Sequence, residues 1–208
     1  MLPKKAVLFG IIISITLLVI AAQYYPGGSQ ADKNSIGYDW KNNYLSNLFS
    51  PLAVNGSDNP ARPWAVGGVL FLCLSFALVF SRFSKKIPSR TAAGVIKYFG
   101  WVAVATAFLA VTPLHDLMVE ISGAAALLSM FYITVFLLKS KLFLLKILAV
   151  LGLLLFYGIV FIYNFRFHLE ILPVMQKATL LVTSSWFLGL EYFTTADDFK
   201  PRPVNLQP

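Results

Sequence analysis

Six apolar stretches, each long enough to cross a bilayer, occupy most of this 208-residue chain. A helix needs about 20 mostly apolar residues to span the hydrocarbon core of a membrane. Charged residues make up only 12% of the chain, which is far below the share that a soluble domain carries. We therefore predict an all-α protein, a polytopic membrane bundle of six transmembrane helices that forms a single domain over residues 1–196. The expected spans are about 6–25, 64–82, 95–113, 117–138, 142–163 and 171–191.

The two ends of the chain call for separate interpretations. The first apolar run, from Ala6 to Ala22, is about 17 residues long, which exceeds the apolar core of a typical signal peptide. We therefore expect a first helix that is retained in the protein. Residues 197–208 are polar and rich in proline, and we expect them to form a disordered cytoplasmic tail.

The distribution of basic residues predicts the orientation of the bundle. With the N-terminus in the cytoplasm and alternating spans, twelve Lys and Arg residues lie inside and five outside. Cytoplasmic loops carry the excess of basic residues, so we expect both termini in the cytoplasm. The net charge of +8 comes from basic residues at span ends rather than from a basic patch interleaved with aromatic residues. That pattern favours membrane lipids as partners and argues against nucleic acid.

The first outer loop, residues 26–63, is long enough to carry structure of its own. Trp40, Tyr44 and Leu48 recur at four-residue steps, with Asn and Ser residues between them. This spacing predicts a short amphipathic helix over about 39–50 that lies at the membrane interface, with Asp39 as its N-cap.

A second group of polar residues lies where the fourth span begins, and it contains His115, Asp116 and Glu120. Asp116 and Glu120 are four residues apart, so they share one face of a helix and repel each other. An ionisable residue at membrane depth indicates a functional site by default. Asp is also a preferred capping residue, so simple capping of this span by Asp116 stays open as an alternative.

A third group, between the fifth and sixth spans, contains Arg166 and His168. Arg166 and Lys177 are the expected counter-ions for the carboxylates at this end of the bundle. The alternative is an interfacial belt, in which aromatic side chains and Arg166 contact lipid headgroups.

Unpaired charge is costly at a membrane boundary, so we expect the polar side of the outer helix to lie over the mouth of the bundle. It would then bring Asn43, Ser46 or Asn47 within contact range of the residues that begin the fourth span. A polar pocket beneath that helix is the predicted binding site. The candidate binding residues are Asn43, Ser46, Asn47, His115, Asp116, Glu120, Arg166 and His168.

We expect no metal or other cofactor. His115, His168 and Asp116 are side chains of the types that bind zinc, and they form the alternative metal site. No HExxH motif or other ligand spacing links them. A zinc site would therefore need two separate loops to fold together.

Three sequence features together resemble those of a known family. They are the segment Asn43–Leu48 (Asn-Tyr-Leu-Ser-Asn-Leu), the Asn59-Pro60 pair before the second span, and the Pro113-x-His115 turn before the fourth. This pattern is similar to that of a bacterial group of six-span membrane proteins of unknown function, which in turn resembles DRAM-like proteins and GPI-lipid-remodelling membrane proteins. The resemblance implies a six-helix fold in the bacterial cell (inner) membrane, a polar outer surface and a lipid-related role. It supplies no catalytic residues.

Two functions are compatible with these residues. The first is an integral membrane protein that binds lipid, or a protein partner, at its outer face. The second is a membrane-embedded hydrolase or transferase that acts on lipid at that face, with His115 or Glu120 as the general base and with or without a metal ion. The chain contains no P-loop and no GxSxG motif, so the sequence leaves enzymatic activity open.

Overall fold

The computed structural model describes Pro3 and residues 5–200. Its six long helices are α1 (Lys5–Tyr24), α2 (Arg62–Ser84), α3 (Arg90–Leu109), α4 (His115–Lys139), α5 (Phe143–Phe165) and α6 (Leu172–Phe193). Each of the six is long and apolar enough to cross a membrane. The described residues form no β-strand, only two isolated bridges. The chain is therefore an all-α integral membrane protein with six spans, as predicted.

The predicted spans overlap these helices one for one, and the largest difference is at the third. We predicted 95–113, whereas α3 begins at Arg90 and ends at Leu109. Ser89 caps the helix, because its hydroxyl accepts a hydrogen bond from the backbone N–H of Ala92 at 3.3 Å. The helix therefore begins with two polar residues, Arg90 and Thr91, which a boundary placed on hydropathy alone leaves out.

The helices pack in chain order, each against the next, and α6 returns to contact α1 and α2. The largest fully buried side chains of the main core include Trp186 and Phe187 of α6, Phe83 of α2 and Ile133 of α4. Gly100 of α3 allows a close approach of α2, because a β-carbon at that position would overlap the ring of Phe80. Such contacts between a small residue and a neighbouring helix are how membrane bundles gain packing energy.

The two ends of the bundle differ in structure. We call the end that carries residues 25–61, the α3–α4 turn and the α5–α6 connection the loop face. The other end, with Pro3, residues 85–89, Ser140 and residues 194–200, is the terminal face. Residues 25–61 form a compact layer, which we call the cover, and a second apolar cluster lies beneath it. That cluster includes Leu18, Tyr25, Tyr38, Leu48 and Ala61.

The helix in the cover is shorter than the predicted 39–50. Only Leu45–Phe49 is helical, as a 3₁₀ turn that we call η1. Asp39 does not begin this helix. Its carboxylate accepts hydrogen bonds from the backbone N–H groups of Lys41 and Asn42, which holds residues 39–42 in a separate turn. Leu48 is buried as predicted, whereas Trp40 is half-exposed.

At the terminal face, a buried ion pair joins α2 to α6. Arg82 and Glu191 form this pair, and their side chains are only 17% and 3% exposed. Lys86 donates hydrogen bonds to the carbonyl oxygen of Leu190 at 3.0 Å and to the hydroxyl of Thr194 at 2.9 Å. The lysine thus donates a hydrogen bond to a carbonyl group near the end of α6, and its positive charge interacts favourably with the negative end of the helix dipole.

The predicted disordered tail, 197–208, begins within an ordered segment. Residues Ala196–Phe199 form a 3₁₀ turn. Phe199 is buried, with its ring 5.2 Å from that of Phe83. Residues 201–208, which make up the rest of the predicted tail, lie outside the described residues.

We predict that Arg82→Ala lowers the free energy of unfolding by about 3–5 kcal/mol, because it leaves the Glu191 carboxylate buried without its partner. In a chain of this size that corresponds to a drop of roughly 10 °C in Tm. Thermal melting of purified protein in detergent measures the change. Replacing both partners by leucine restores much of the loss, since an apolar pair of similar volume removes the buried charge.

Lys200→Ala is the matched control for Arg82→Ala. It also removes a cation from an ion pair, the one with Asp197, but both side chains of that pair are exposed. Exposed ion pairs contribute little to stability, so we expect this variant to have the same melting temperature as the parent protein. An Arg82→Ala protein that melts together with Lys200→Ala contradicts the structural role of the buried pair.

Candidate functional site

The side chain of Asn43 holds the cover together from its centre. Asn43 is fully buried, and its side-chain amide oxygen accepts a hydrogen bond from the backbone N–H of Asp39 at 2.8 Å. Its side-chain NH₂ group donates to the carbonyl oxygen of Gly28 at 2.8 Å and to the side-chain oxygen of Asn47 at 3.3 Å. These contacts use both NH₂ hydrogens of Asn43 and one oxygen lone pair.

Two further asparagines complete this network. Asn47 accepts a hydrogen bond from the backbone N–H of Tyr44 at 2.7 Å. Asn59 donates to the carbonyl oxygens of Asn47, Leu48 and Ser50. Because buried backbone groups must be paired, these amides replace the ladder hydrogen bonds that the irregular loop lacks.

Gly28 is needed where two segments of the cover cross. Its φ angle is +83°, which L-residues with a side chain rarely adopt. A β-carbon there would also overlap the backbone of Val54 and Asn55. The close approach leaves the Gly28 carbonyl oxygen within reach of Asn43.

Electrostatics reinforce the turn at Asp39. Hydrogen bonds from the side chain of Asn42 and from the backbone N–H groups of Lys41 and Asn42 hold the pKa of Asp39 below its usual value. Burial raises the pKa of Tyr38, so this phenol stays protonated. Its hydroxyl donates to the carbonyl oxygen of Asn43 at 3.3 Å.

Lys177 fastens the cover to the end of α6. Its ammonium group donates to the carbonyl oxygens of Asn43 at 2.7 Å and Pro173 at 2.8 Å. The same nitrogen lies 5.5 Å from the centre of the Tyr38 ring, in the range of a cation–π contact. The preceding residue, Gln176, accepts a hydrogen bond from the backbone N–H of Leu45 at 3.1 Å. The cover is therefore docked on the bundle by side chains of α6.

A groove of about 390 Å³ opens between the cover and the bundle. The cover contributes Ser46, Phe49, Ser50 and Pro51 to its walls. Arg62 contributes from the first residue of α2, and residues 110–113 and His115 contribute from the α3–α4 turn and the start of α4. The groove is amphipathic, since one cation and several hydroxyls face apolar groups.

The groove lies where two helices begin, and both helix ends lack a side-chain cap. The N-cap residues, Ala61 of α2 and Leu114 of α4, do not cap their helices with their own side chains. The side chains of Asn59 and Thr112 accept hydrogen bonds only from the N–H groups of these two N-cap residues. Helix N-termini carry partial positive charge and free N–H groups, which favour a bound anion. Arg62 forms no ion pair with any residue that the structure describes. Arg62 and the two helix N-termini therefore contribute positive potential to this part of the groove.

His115 is oriented by two neighbours. Its Nδ1 lies 3.0 Å from a carboxylate oxygen of Asp116, and an ionised carboxylate can only accept, so Nδ1 carries the hydrogen. The hydroxyl of Tyr163 on α5 donates to the same carboxylate oxygen at 3.2 Å. This arrangement leaves Nε2 of a neutral His115 as a hydrogen-bond acceptor. Asp116 therefore serves as a positioning group for the imidazole.

The other predicted site residues lie apart from the groove wall. Glu120 is exposed on α4. Arg166 is also exposed, and its guanidinium lies 5.7 Å from the centre of the Tyr163 ring. In the described part of the chain, Arg166 and Lys177 form no salt bridge with a carboxylate. Each still interacts electrostatically with one, Arg166 with Asp116 and Lys177 with Asp39, so their role as counter-ions stays a prediction.

His168 pairs with a carboxylate of its own, since its Nδ1 lies 2.8 Å from an oxygen of Glu170. Residues 5–200 contain no group of three or more His, Cys, Asp or Glu side chains that could hold a metal ion. The two histidines and Asp116 therefore do not form the combined ligand set considered above.

The cover and the start of α4 line one groove, whereas the predicted contact between their polar side chains stays a prediction. Ser46 and His115 line the same groove, as the sequence predicted. Asn43 and Asn47 point into the cover and hold it together. Arg62 is the residue that sequence reasoning missed, because it was counted only among the outside cations. Its position next to Pro63, at the start of an apolar run, was the signal that places it at a helix N-terminus.

Comparison with known proteins gives no match to this chain, whether with family models, with curated proteins or with solved structures. The resemblance of the Asn43–Leu48 segment and the Pro113–His115 turn to six-span bacterial proteins therefore stays a prediction.

Proposed function

We propose that this integral membrane protein binds the headgroup of a membrane phospholipid in the groove at its loop face. The observation that carries the proposal is Arg62, a cation without an ion-pair partner among the described residues, in an amphipathic groove of about 390 Å³. Arg62 and His115 are the first residues of α2 and α4, so the groove lies at the level where a bilayer places its phosphates.

The chemistry of the walls supports a phosphodiester as the ligand. A guanidinium binds phosphate oxygens through paired N–H donors, and the ends of α2 and α4 add positive potential. The hydroxyls of Ser46, Ser50 and Thr112 supply further hydrogen bonds. The apolar wall around Phe49 suits the glycerol and first methylene groups of a lipid. A purely apolar or purely ionic ligand would leave part of this surface unmatched.

The oriented imidazole of His115 favours a second candidate, a hydrolase or transferase that acts on the lipid in this groove. Asp116 fixes the tautomer in which Nε2 accepts a proton, which is the arrangement of a general base. Ser46 and Ser50 line the same groove as possible nucleophiles. Mass spectrometry of recovered lipid and metal analysis of the purified protein separate the two functions. Chemically unchanged lipid on metal-free protein favours binding alone.

We further propose that the loop face is outside and that both termini lie in the cytoplasm, with the bacterial cell membrane as the location. The twelve-to-five distribution of basic residues supports this orientation. The bacterial location is supported only by the family resemblance. In this orientation the groove faces lipids of the outer leaflet.

Cysteine labelling measures the orientation, because the only native cysteine is Cys73 and a Cys73→Ser protein provides the background. Lys33 is exposed at the loop face and Lys85 at the terminal face, so each accepts a cysteine. On intact cells, a membrane-impermeant maleimide labels Lys33→Cys and leaves Lys85→Cys unlabelled until the cells are opened. Labelling of Lys85→Cys from outside refutes the proposed orientation.

Lipid binding is tested by Arg62→Gln. A hydrogen bond to a charged group contributes about 1.5–3 kcal/mol, so we expect affinity for short-chain phosphatidylglycerol to fall by roughly 10- to 100-fold. Native mass spectrometry of purified protein during a lipid titration measures the bound fraction. Titration with inorganic phosphate shows whether the free ion displaces the lipid from the groove or whether binding also requires the glycerol and acyl parts of the lipid.

The matched control is Lys33→Gln, which removes an exposed cation from the same face outside the groove. It lowers the net charge by the same amount and leaves lipid binding unchanged. Equal losses in Arg62→Gln and Lys33→Gln would show a general charge effect and contradict the groove as the site. Unchanged binding by Arg62→Gln would contradict it directly.

A further inference from the structure

The middle of α6 contains four buried polar atoms that have no protein partner in the described part of the chain. They are the hydroxyl oxygens of Thr179, Thr183 and Ser184 and the indole nitrogen of Trp186. These side chains are between 0% and 8% exposed. An unpaired polar group in the hydrocarbon region of a membrane is costly, because lipid hydrocarbon chains neither accept nor donate hydrogen bonds.

Most other hydroxyls on the spanning helices avoid this cost by bonding to a backbone carbonyl. Ser75 donates to Phe71 at 2.7 Å, and Thr134 donates to Met130 at 2.8 Å. In both cases the acceptor lies one turn back on the same helix, which is the common solution for Ser and Thr in membrane helices. The hydroxyls of α6 have equivalent carbonyls one turn back and do not use them. These hydroxyl groups are therefore available to a hydrogen-bond partner other than the helix backbone.

The spacing places three of these groups along one line. Thr179, Thr183 and Trp186 are separated by four and three residues, so they share one face of α6 over about 10 Å of its length. That face is buried. It begins two residues below Lys177, the residue that holds the cover. The line therefore starts beneath the cover and runs to the middle of the membrane-spanning bundle.

The hydrogen-bond donors and acceptors of these three side chains indicate which ligand they can bind. A threonine hydroxyl both donates and accepts, whereas an indole N–H only donates. A partner of all three groups must therefore accept a hydrogen bond from Trp186, and it can either accept from or donate to each threonine. Water does this, and a buried water needs two to four such polar partners. A metal cation would leave the N–H donor of Trp186 unpaired, because an indole N–H has no lone pair to offer it.

We propose that Thr179, Thr183 and Trp186 form an internal water-binding site within the bundle. The site is independent of the lipid groove, with which it shares no residue. Water held there satisfies polar groups that the bilayer cannot, and it extends the polar interior of the cover into the membrane-spanning part of the protein.

Radiolytic hydroxyl labelling of the full-length protein in nanodiscs tests the proposal, because radicals formed from bound water modify adjacent side chains. Trp186 is 0% exposed, so bulk solvent cannot modify it in the folded protein. We expect its labelling, corrected for intrinsic reactivity, to be several-fold faster than that of its buried neighbour Phe187. In the double variant Thr179→Val/Thr183→Val, which keeps side-chain shape and removes both hydroxyls, labelling falls toward the Phe187 rate.

Thr134→Val is the matched control, since its hydroxyl is also buried but is paired with a carbonyl. This variant leaves the labelling of Trp186 unchanged. Protection of Trp186 in the parent protein overturns the proposal, whatever the melting temperatures of the variants. Labelling that persists in the double valine variant overturns the assignment of these hydroxyls as water ligands.

Discussion

A chain that leaves the membrane and folds back over the bundle must pair its own backbone polar groups, and in this protein the side chain of Asn43 is central to that pairing. It joins three separate parts of the cover, through Asp39, Gly28 and Asn47. Lys177 then binds the carbonyl oxygen of the same residue and connects the cover to α6. The groove exists because the cover is held at this position, so that η1 and residues 49–51 face the starts of α2 and α4.

Charged side chains are paired differently at the two faces of the bundle. At the terminal face, Arg82 and Glu191 neutralise each other in a buried contact, which favours a structural role. At the loop face, Asp116 and Glu170 are each paired with a histidine, and Arg62 is left without an ion-pair partner among residues 5–200. Unpaired positive charge beside two helix N-termini is what makes the loop face suitable for an anionic headgroup.

Much of the fold could be predicted from the sequence, because a run of apolar residues has few alternatives to a spanning helix. The site was harder to predict. Ser46 and His115 were placed together correctly, since both had to lie at the same membrane boundary. Asn43 and Asn47 were assigned to ligand binding, although they pair with the cover's own backbone. A sequence shows which residues can form hydrogen bonds, whereas the choice of partner depends on how the loop crosses itself, as it does at Gly28.

Hydrogen–deuterium exchange of the full-length protein in nanodiscs tests most directly the claim that residues 25–61 form a docked cover. The backbone N–H groups of Asp39, Asn43 and Tyr44 are all hydrogen-bonded within it. We predict that the peptide spanning these residues exchanges at least roughly 100-fold more slowly than an unstructured chain, which corresponds to an opening free energy of about 3 kcal/mol. Exchange of that peptide at the unstructured rate would show a free loop, and would contradict both the cover and the groove that it forms.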